Sequence, residues 1–294
     1  MAYVDLVAEV LDVESRTMLS VDVEDYFHAI PGGAEEYERR GLPSNLERNV
    51  DTLLDLFAEH GVQATFFVLS STLQRIRTQL ARMLAEGHEL ASHGHAHLRA
   101  TKVSPREFGD DIARAKGLIE DAAGREVRGF RAPYFAVCED NLWAVDAIRE
   151  AGYTYDSSVA PVHNFAYGVP LAPERPHRLA NGLVEVPMPQ KRLFGYRFMV
   201  GGGFYLRLYP FWLTRLLLRL RDPALPRVLY IHPWEWEDPR LNLWDLDADL
   251  PGLRWRRRQR KFIATYNRRC ALDRFARLVA LTRPGVTIGS ALGL

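Results

Sequence analysis

Between Gln63 and His97 the chain reads QATFFVLSSTLQRIRTQLARMLAEGHELASHGHAH. Gln63 to Leu69 is an apolar run of strand length, and Thr72 to Glu86 carries apolar residues at helical spacing. Gly87 stops that helix, and His88 to Ser92 is a second apolar run. Strand, helix and strand in succession require parallel neighbours joined by a crossover. The cycle extends in both directions. Upstream, Thr17 to Val23 predicts a strand, and Ser44 with Glu47 reads as a capping box that opens a helix to about His60, ended by Gly61 as a left-handed cap. Downstream, Ser104, Pro105 and Glu107 supply N-cap, first-turn proline and third-position glutamate for a helix to about Ala122. A strand from Val127 to Phe130, a helix from Glu139 to Ala151, Gly152 and a strand from Tyr153 to Tyr155 follow in order. From Pro161 to Arg192 a proline-rich region loosens the pattern, before Gly201-Gly202-Gly203. It resumes with a strand from Arg227 to His232 and a long helix from Phe262 to Leu281. Such a series closes into a barrel or forms an open doubly wound sheet. No glycine-rich phosphate loop follows the first strand, which argues against nucleotide binding.

Composition narrows the classes. Of 294 residues, 47% are hydrophobic and 26% charged, which suits a soluble globular protein and excludes disorder. Lys plus Arg is 38 against 37 for Asp plus Glu, so no nucleic-acid partner is expected. Cys138 and Cys270 make no disulfide framework, and Met1 to Thr17 carries Asp5, Glu9, Asp12 and Glu14 in place of a basic start. A reduced, cytoplasmic protein is the expectation. The apolar stretch Phe204 to Leu220 is interrupted by Arg207, Arg215 and Arg219. Its helix, from about Phe211, is read as core-facing, with peripheral membrane contact as a secondary option.

In α/β folds reactive side chains gather at the carboxyl ends of strands. Four such ends are polar here: Asp22-Val23-Glu24-Asp25, His93-Gly94-His95-Ala96-His97, Arg131-Ala132-Pro133-Tyr134, and His232. Carboxylates massed at one strand end repel one another without a cation. Imidazoles four apart meet on a helical turn, and imidazoles two apart align on a strand. Either arrangement suits a divalent transition metal. Two histidines and one carboxylate form a facial site with open positions. Hydrolysis of an amide or ester there needs a base and an acid. Asp22 is the candidate base, His232 the candidate acid, and Arg131 a partner able to hold Asp22 by a bidentate pair.

These four motifs, in this order, resemble the polysaccharide deacetylases of carbohydrate esterase family four. They stand here as Ser20-Val-Asp-Val-Glu-Asp25, His93-Gly-His-Ala-His97, Arg131-Ala-Pro-Tyr134 and Tyr230-Ile-His232, within a match from about Thr17 to Trp236. The segments Asp22-Val-Glu-Asp-Tyr-Phe-His28, Tyr155-Asp-Ser-Ser158 and His232-Pro-Trp-Glu235 look like the branch associated with bacterial exosortase and exopolysaccharide gene clusters. The resemblance implies an α/β fold, a single distorted (β/α)7 barrel over 17–294. Within it, 190–294 would include a family-specific C-terminal extension, with 1–16 as an N-terminal tail. It also implies one divalent metal ion, with zinc expected, and removal of acetyl groups from N-acetylated sugars. By resemblance, Asp22 is the base, His93 and His97 are metal ligands and Arg131 orients the base. Tyr134 places an oxyanion-holding backbone N–H, and His232 is the acid. The family's second aspartate is replaced by Val23. Strand alternation makes Glu24 the substitute ligand, with Asp25 the alternative if the strand ends early. Asp156 is matched to the acid that tunes His232. Gly94 and Ala96 stand where a hydroxyl residue usually supports the histidines.

Two surface features remain. Arg254 to Arg283 holds eleven Lys or Arg against one acid, whereas Trp234 to Asp249 holds six acids and one Arg. The favoured reading is that the segments offset each other, and contact with anionic polysaccharide or lipid is the other. Trp234, Trp236 and Trp244 are candidates for stacking on sugar, Trp234 foremost. The region from Pro161 to Tyr209 is expected to extend the rim of the barrel mouth. The expected substrate is an N-acetylated oligosaccharide of exopolysaccharide or its lipid-linked precursor. The rivals are an amide hydrolase of the same fold acting on a cyclic ureide, and a non-catalytic carbohydrate-binding barrel.

Overall fold

The computed structural model describes residues 2–28, 41–163, 167–193, 195–237, 257–281 and 284–294. Its sheet grows around the strand expected from Thr17 to Val23, which forms with those bounds as β2 after a short β1 (Val7–Val10). There follow β3 (Thr65–Val68), β4 (Glu89–Ser92), β5 (Gly129–Phe130), β6 (Tyr155–Asp156), β7 (His177–Leu179) and β8 (Val184–Glu185). A hairpin of β9 (Gln190–Leu193) and β10 (Tyr196–Met199) precedes β11 (Arg227–Ile231) and β12 (Gly285–Val286). In the order β11, β2, β3, β4, β5, β6, β8, each strand is parallel to the next. These seven strands are the wall of a distorted (β/α)7 barrel. Between β8 and β11 it is closed by an extended segment. Val200 N–H donates to Pro189 O at 3.0 Å, and Tyr230 N–H donates to Gly201 O at 3.1 Å. A Cβ at Gly202 would lie 2.2 Å from Tyr230 O, so only glycine lets the backbones approach.

Helices α1 (Leu46–His60), α2 (Arg77–Ala85), α3 (Pro105–Ala123) and α4 (Trp143–Glu150) connect successive strands. Then come α5 (Gly203–Leu208), α6 (Phe211–Arg219), α7 (Arg257–Thr265), α8 (Ala271–Leu281) and α9 (Ile288–Leu292). Side-chain alternation separates two cores. Leu19, Val21 and Val23 of β2 pack outward in the same cluster as Leu53, Leu54 and Phe57 of α1. Met18 points inward with Phe67, Tyr155, Val228 and Tyr230, and Ser20 and Asp22 share its side. Full burial of one such side chain contributes about 1.5–3 kcal/mol. At the amino ends of the strands, Ile288 completes the inner core. Its N–H donates to Thr65 Oγ1 at 2.8 Å, and Gly289 N–H donates to Glu89 Oε2 at 2.9 Å.

Several expectations need correction. Residues 1–16 are no tail: β1 pairs antiparallel with β7, and the fully buried Tyr3 places its hydroxyl 2.9 Å from His177 Nε2. The partner lies far along the chain, so no local pattern announces it. Asn45, not Ser44, is the N-cap of α1, and the Ser44 hydroxyl accepts from Leu46 N–H at 3.2 Å while donating to Asp25. The stretch from Phe262 to Leu281 is broken, because Asn267 adopts φ 53° between α7 and α8. The β9–β10 hairpin does not extend the mouth. Gly202 bridges Tyr230 in parallel, so β10 approaches along the wall from the amino ends of the strands. Among the described residues no helix is long and apolar enough to cross a membrane. Trp244, the acidic run beyond Glu237, and Arg254 and Arg256 of the basic run lie outside the described residues.

Candidate active site

Glu24 follows β2 by one residue, His93 and His97 follow β4, Arg131 and Tyr134 follow β5, and His232 follows β11. The parallel wall therefore delivers all of them to one end. Glu24, His93 and His97 are buried, and a donor atom of each lies within 4.8 Å of the others. Glu24 Oε2 stands 2.5 Å from His97 Nε2 and 3.9 Å from His93 Nε2, without hydrogen-bond geometry to either. A buried carboxylate oxygen converging on two imidazole nitrogens is a donor set that suits a divalent transition ion. His93 Nδ1 is 2.8 Å from Arg131 O, which directs Nε2 into the cluster. Burial lowers His93 to about 4, the neutral form that ligates. For Glu24 burial acts upward, but the facing imidazoles of His97, His232 and His93 outweigh it and hold the carboxyl below its ordinary range.

Asp25 is not part of this cluster. Its carboxylate accepts from Ser44 Oγ and from Tyr26 N–H at 2.8 Å, and lies 3.8 Å from Arg75. Burial raises it to about 6. Of the two alternatives, Glu24 is the acid brought to the histidines, because it returns to the inward face of Asp22. The histidine loop lacks its usual hydroxyl support and is pinned from α3. Asp111 accepts from the N–H groups of His95 and Ala96, both at 2.9 Å. Gly94, at φ 83°, leaves room for it, since a Cβ there would lie 3.0 Å from Asp111 Oδ2. His95 turns aside to Ser70 Oγ at 2.8 Å.

Asp22 sits beside the cluster, buried against Arg131. Nη1 of Arg131 donates to Asp22 Oδ1 at 2.6 Å and to Ser20 Oγ at 3.0 Å. Nε and Nη2 go to Ser157 O and Oγ, both at 3.1 Å. The expected bidentate pair is thus a single charge-assisted bond, with the rest of the guanidinium fork spent on Ser20 and Ser157. His232 Nε2 lies 3.6 Å from both Asp22 Oδ2 and Glu24 Oε1. Its Nδ1 is 2.7 Å from Glu235 Oε1, whose other oxygen accepts from Arg207 Nε at 2.7 Å. Burial alone would lower His232. The Glu235 hydrogen bond and the charges of Glu24, Glu235 and Asp22 outweigh it and raise it to about 9, while Arg207 and His232 hold Glu235 at about 2.

Glu235, not Asp156, is therefore the carboxylate on His232. Asp156 lies behind the β5 loop, accepting from Ser158 Oγ at 2.5 Å, and burial raises both it and the neighbouring Glu185. Ser158 Oγ in turn accepts from Ala132 N–H at 2.7 Å. The loop so anchored holds Tyr134 at φ 61° and Phe135 at φ 52°, two side-chain-bearing residues in the left-handed region. Each costs about 1–3 kcal/mol, strain that gathers at functional sites. Trp234 is not a sugar platform either. It is buried, stacks on His232 at 5.3 Å and donates from Nε1 to Glu24 Oε1 at 3.0 Å.

Four supporting residues escaped the sequence reading: Asp111, Glu235, Arg207 and His28. The His28 ring lies 5.9 Å from that of His97, and its Nδ1 accepts from Asp25 N–H at 2.9 Å. Glu235 and His28 had a local signal, since each closes a quoted segment, three residues after His232 and Asp25 respectively.

If Glu235 keeps His232 protonated, Glu235→Gln removes the largest raising influence, and His232 loses its proton at lower pH. For a reaction needing imidazolium, the alkaline limb of the pH–rate profile moves to lower pH. A limb that stays in place in a stopped pH series would remove Glu235 from this role.

A model of the family described as Polysaccharide deacetylase matches residues 41–155, taking in His93, His97, Arg131 and Tyr134. A second, described as a domain of unknown function (DUF3473), matches 157–283, taking in His232, Trp234 and Glu235. A peptidoglycan-N-acetylglucosamine deacetylase of Bacillus cereus is 26% identical over 60% of this chain and 71% of its own length. A chitooligosaccharide deacetylase of Bradyrhizobium is 31% identical over 38% of this chain and 47% of its own. A solved structure from Mycobacterium smegmatis, assigned to the polysaccharide deacetylases, shares the fold with a TM-score of 0.60 at 20% identity. That match covers 95% of this chain and 87% of the other. The two matches take in the second, third and fourth strand-end motifs of this seven-stranded parallel barrel, with the first, Ser20 to Asp25, ahead of both, and together with these relatives they place the chain in the polysaccharide deacetylase family, carbohydrate esterase family four.

Proposed function

We propose that this protein is a metal-dependent N-deacetylase acting on an N-acetylhexosamine within an exopolysaccharide or its lipid-linked precursor. The observation that carries the reading is His232 Nε2 lying 3.6 Å from both Asp22 and Glu24, a potential base and acid together beside a buried donor set. Glu24, His93 and His97 would hold the ion, zinc by expectation. When bound, the ion would polarise the acetyl carbonyl and lower the pKa of water.

The chain's own residues supply the rest. Asp22, fixed by Arg131, accepts the proton of the attacking water as it adds to the acetyl carbon. The Tyr134 backbone N–H donates to the carbonyl oxygen as charge develops on it. His232 gives its proton to the sugar nitrogen as the C–N bond breaks. Acetic acid, which ionises to acetate on release, and a free amine leave, with Asp22 having gained one proton and His232 having lost one. The sugar class rests on the relatives, which deacetylate N-acetylated glycans by name.

The test is acetate release by zinc-loaded protein from N-acetylhexosamine oligomers, the free monosaccharide and a cyclic ureide. Oligomers are expected to turn over fastest. Faster turnover of the ureide would promote an amide hydrolase of another substrate class. No turnover of any substrate, with zinc bound, would favour a non-catalytic sugar-binding barrel.

A further inference from the structure

From Gln190 to Arg221 the chain holds seven Lys or Arg and no Asp or Glu. Two of the seven are internal. Arg207 is buried on Glu235, and Arg221 is buried with donors to Gln190 O at 3.1 Å and Pro226 O at 3.0 Å. Lys191 and Arg197 reach backbone carbonyls, of Leu220 and Pro161, and among the described residues neither is paired with a carboxylate. Arg192 and Arg219 are exposed and Arg215 is half-buried.

Within this acid-free stretch lies an apolar face that stands exposed among the described residues. Helix α6 turns Thr214, Leu217 and Leu218 into the protein. On another side Trp212, Leu216 and Leu220, four residues apart, are 66%, 42% and 47% exposed. A solvated helix face carries polar residues there. This one carries a tryptophan and two leucines, with Arg215 and Arg219 each beside a leucine. On the hairpin, Tyr196 is 74% and Phe198 38% exposed, and they pair across the ladder with Leu193 and Lys191, so all four share one face. Because the Lys191 ammonium donates to Leu220 O, that face abuts the end of α6, and the two make one surface.

We propose that this surface docks the protein on an anionic lipid bilayer. Trp and Tyr sit at the headgroup level, leucines enter the acyl boundary and arginines meet phosphates. The absence of any acid across Gln190 to Arg221 supplies the charge complementarity, since a negative surface attracts every exposed charge of the stretch. The helix is thereby core-facing on one side and membrane-facing on another. The patch contains no residue of the barrel-mouth site, so its role does not depend on the chemistry proposed there.

The experiment is co-sedimentation of the full-length protein with phosphatidylcholine vesicles and with vesicles containing 30 mol% phosphatidylglycerol, a composition of roughly the charge density that attracts polybasic segments. Binding is expected to the anionic vesicles alone and to fall with salt. Arg215→Glu with Arg219→Glu, and separately Leu216→Asp, should each weaken it by about tenfold or more. All these positions are at least partly exposed, so the variants fold. Acetate release from soluble oligomer should be unchanged in each variant. Equal binding to neutral vesicles, or variants that sediment like the parent, would overturn the proposal. So would a dimer in light scattering that Leu216→Asp dissociates, with no vesicle binding, which would assign the face to a second copy of the chain.

Discussion

Asp22→Asn should fold, keep its metal and release acetate at least about a hundredfold more slowly than the parent, the usual contribution of a positioned general base. Asparagine has the same shape, and its amide oxygen still accepts from Arg131 Nη1, which lies 2.6 Å from Asp22 Oδ1. The guanidinium also keeps its bonds to Ser20 and Ser157, so it is not left bare in the interior. What the amide lacks is the capacity to take a proton from water. A shape-conserving change therefore isolates that step. Arg131→Met is the contrasting variant. It strands a buried carboxylate and should cost about 3–5 kcal/mol of stability, the penalty for breaking a buried pair. Rates with saturating zinc, alongside thermal melts, separate the two. An Asp22→Asn rate above about a tenth of the parent's would remove Asp22 as base.

His97→Ala should abolish stoichiometric zinc binding. Its Nε2 is the nitrogen closest to Glu24 Oε2, and two remaining donors do not make the facial set. Removal of a supporting partner should cost less: Trp234→Phe deletes the N–H on Glu24 Oε1 and is expected to weaken the ion by about 10–100-fold. Asp25→Asn should leave affinity unchanged, because that carboxylate is engaged by Ser44 and Tyr26. Calorimetric titration of zinc into stripped protein gives all three values. Parent-like stoichiometry and affinity in His97→Ala would dismantle the donor set, and a loss in Asp25→Asn equal to that in Glu24→Gln would reopen the choice of acid.

The parallel barrel and its reactive end were legible because both are written in short-range pattern. Each strand of β2 to β4 is a largely apolar run, β3 and β4 each opening just after a helix stop at Gly61 or Gly87, and the polar residues after these runs fall at the carboxyl ends whichever way the sheet closes. Parity along β2 sufficed to choose Glu24 over Asp25. Residues that act across the chain were not legible. Trp234 looks like a rim aromatic until β11 is set beside β2, which turns its indole N–H onto Glu24. Asp156 ends a strand as a catalytic acid would, yet the twist of the wall faces it toward Glu185 and Ser158. Arg207 reads as an interruption of an apolar helix. In the fold it ties Glu235 to the carbonyls of Ile263, Ala264 and Tyr266.

The pairing of β2 also dictates when during synthesis this site can come into being. The strand bearing Asp22 emerges from the ribosome early, and β3 and β4 follow soon after. Its partner on the other side is β11, where Thr17 meets Arg227, and Thr17 pairs again with Gly285 near the chain's end. Until then a nascent chain carries a parallel sheet with one open edge and lacks His232, which stands 3.6 Å from Asp22 in the finished fold. Contacts of such sequence separation fold slowly and leave unpaired edges exposed in the interim. The site is thus completed only once β11 has been made, and a chain stopped before Arg227 is expected to be a sticky, inert fragment rather than a weaker catalyst.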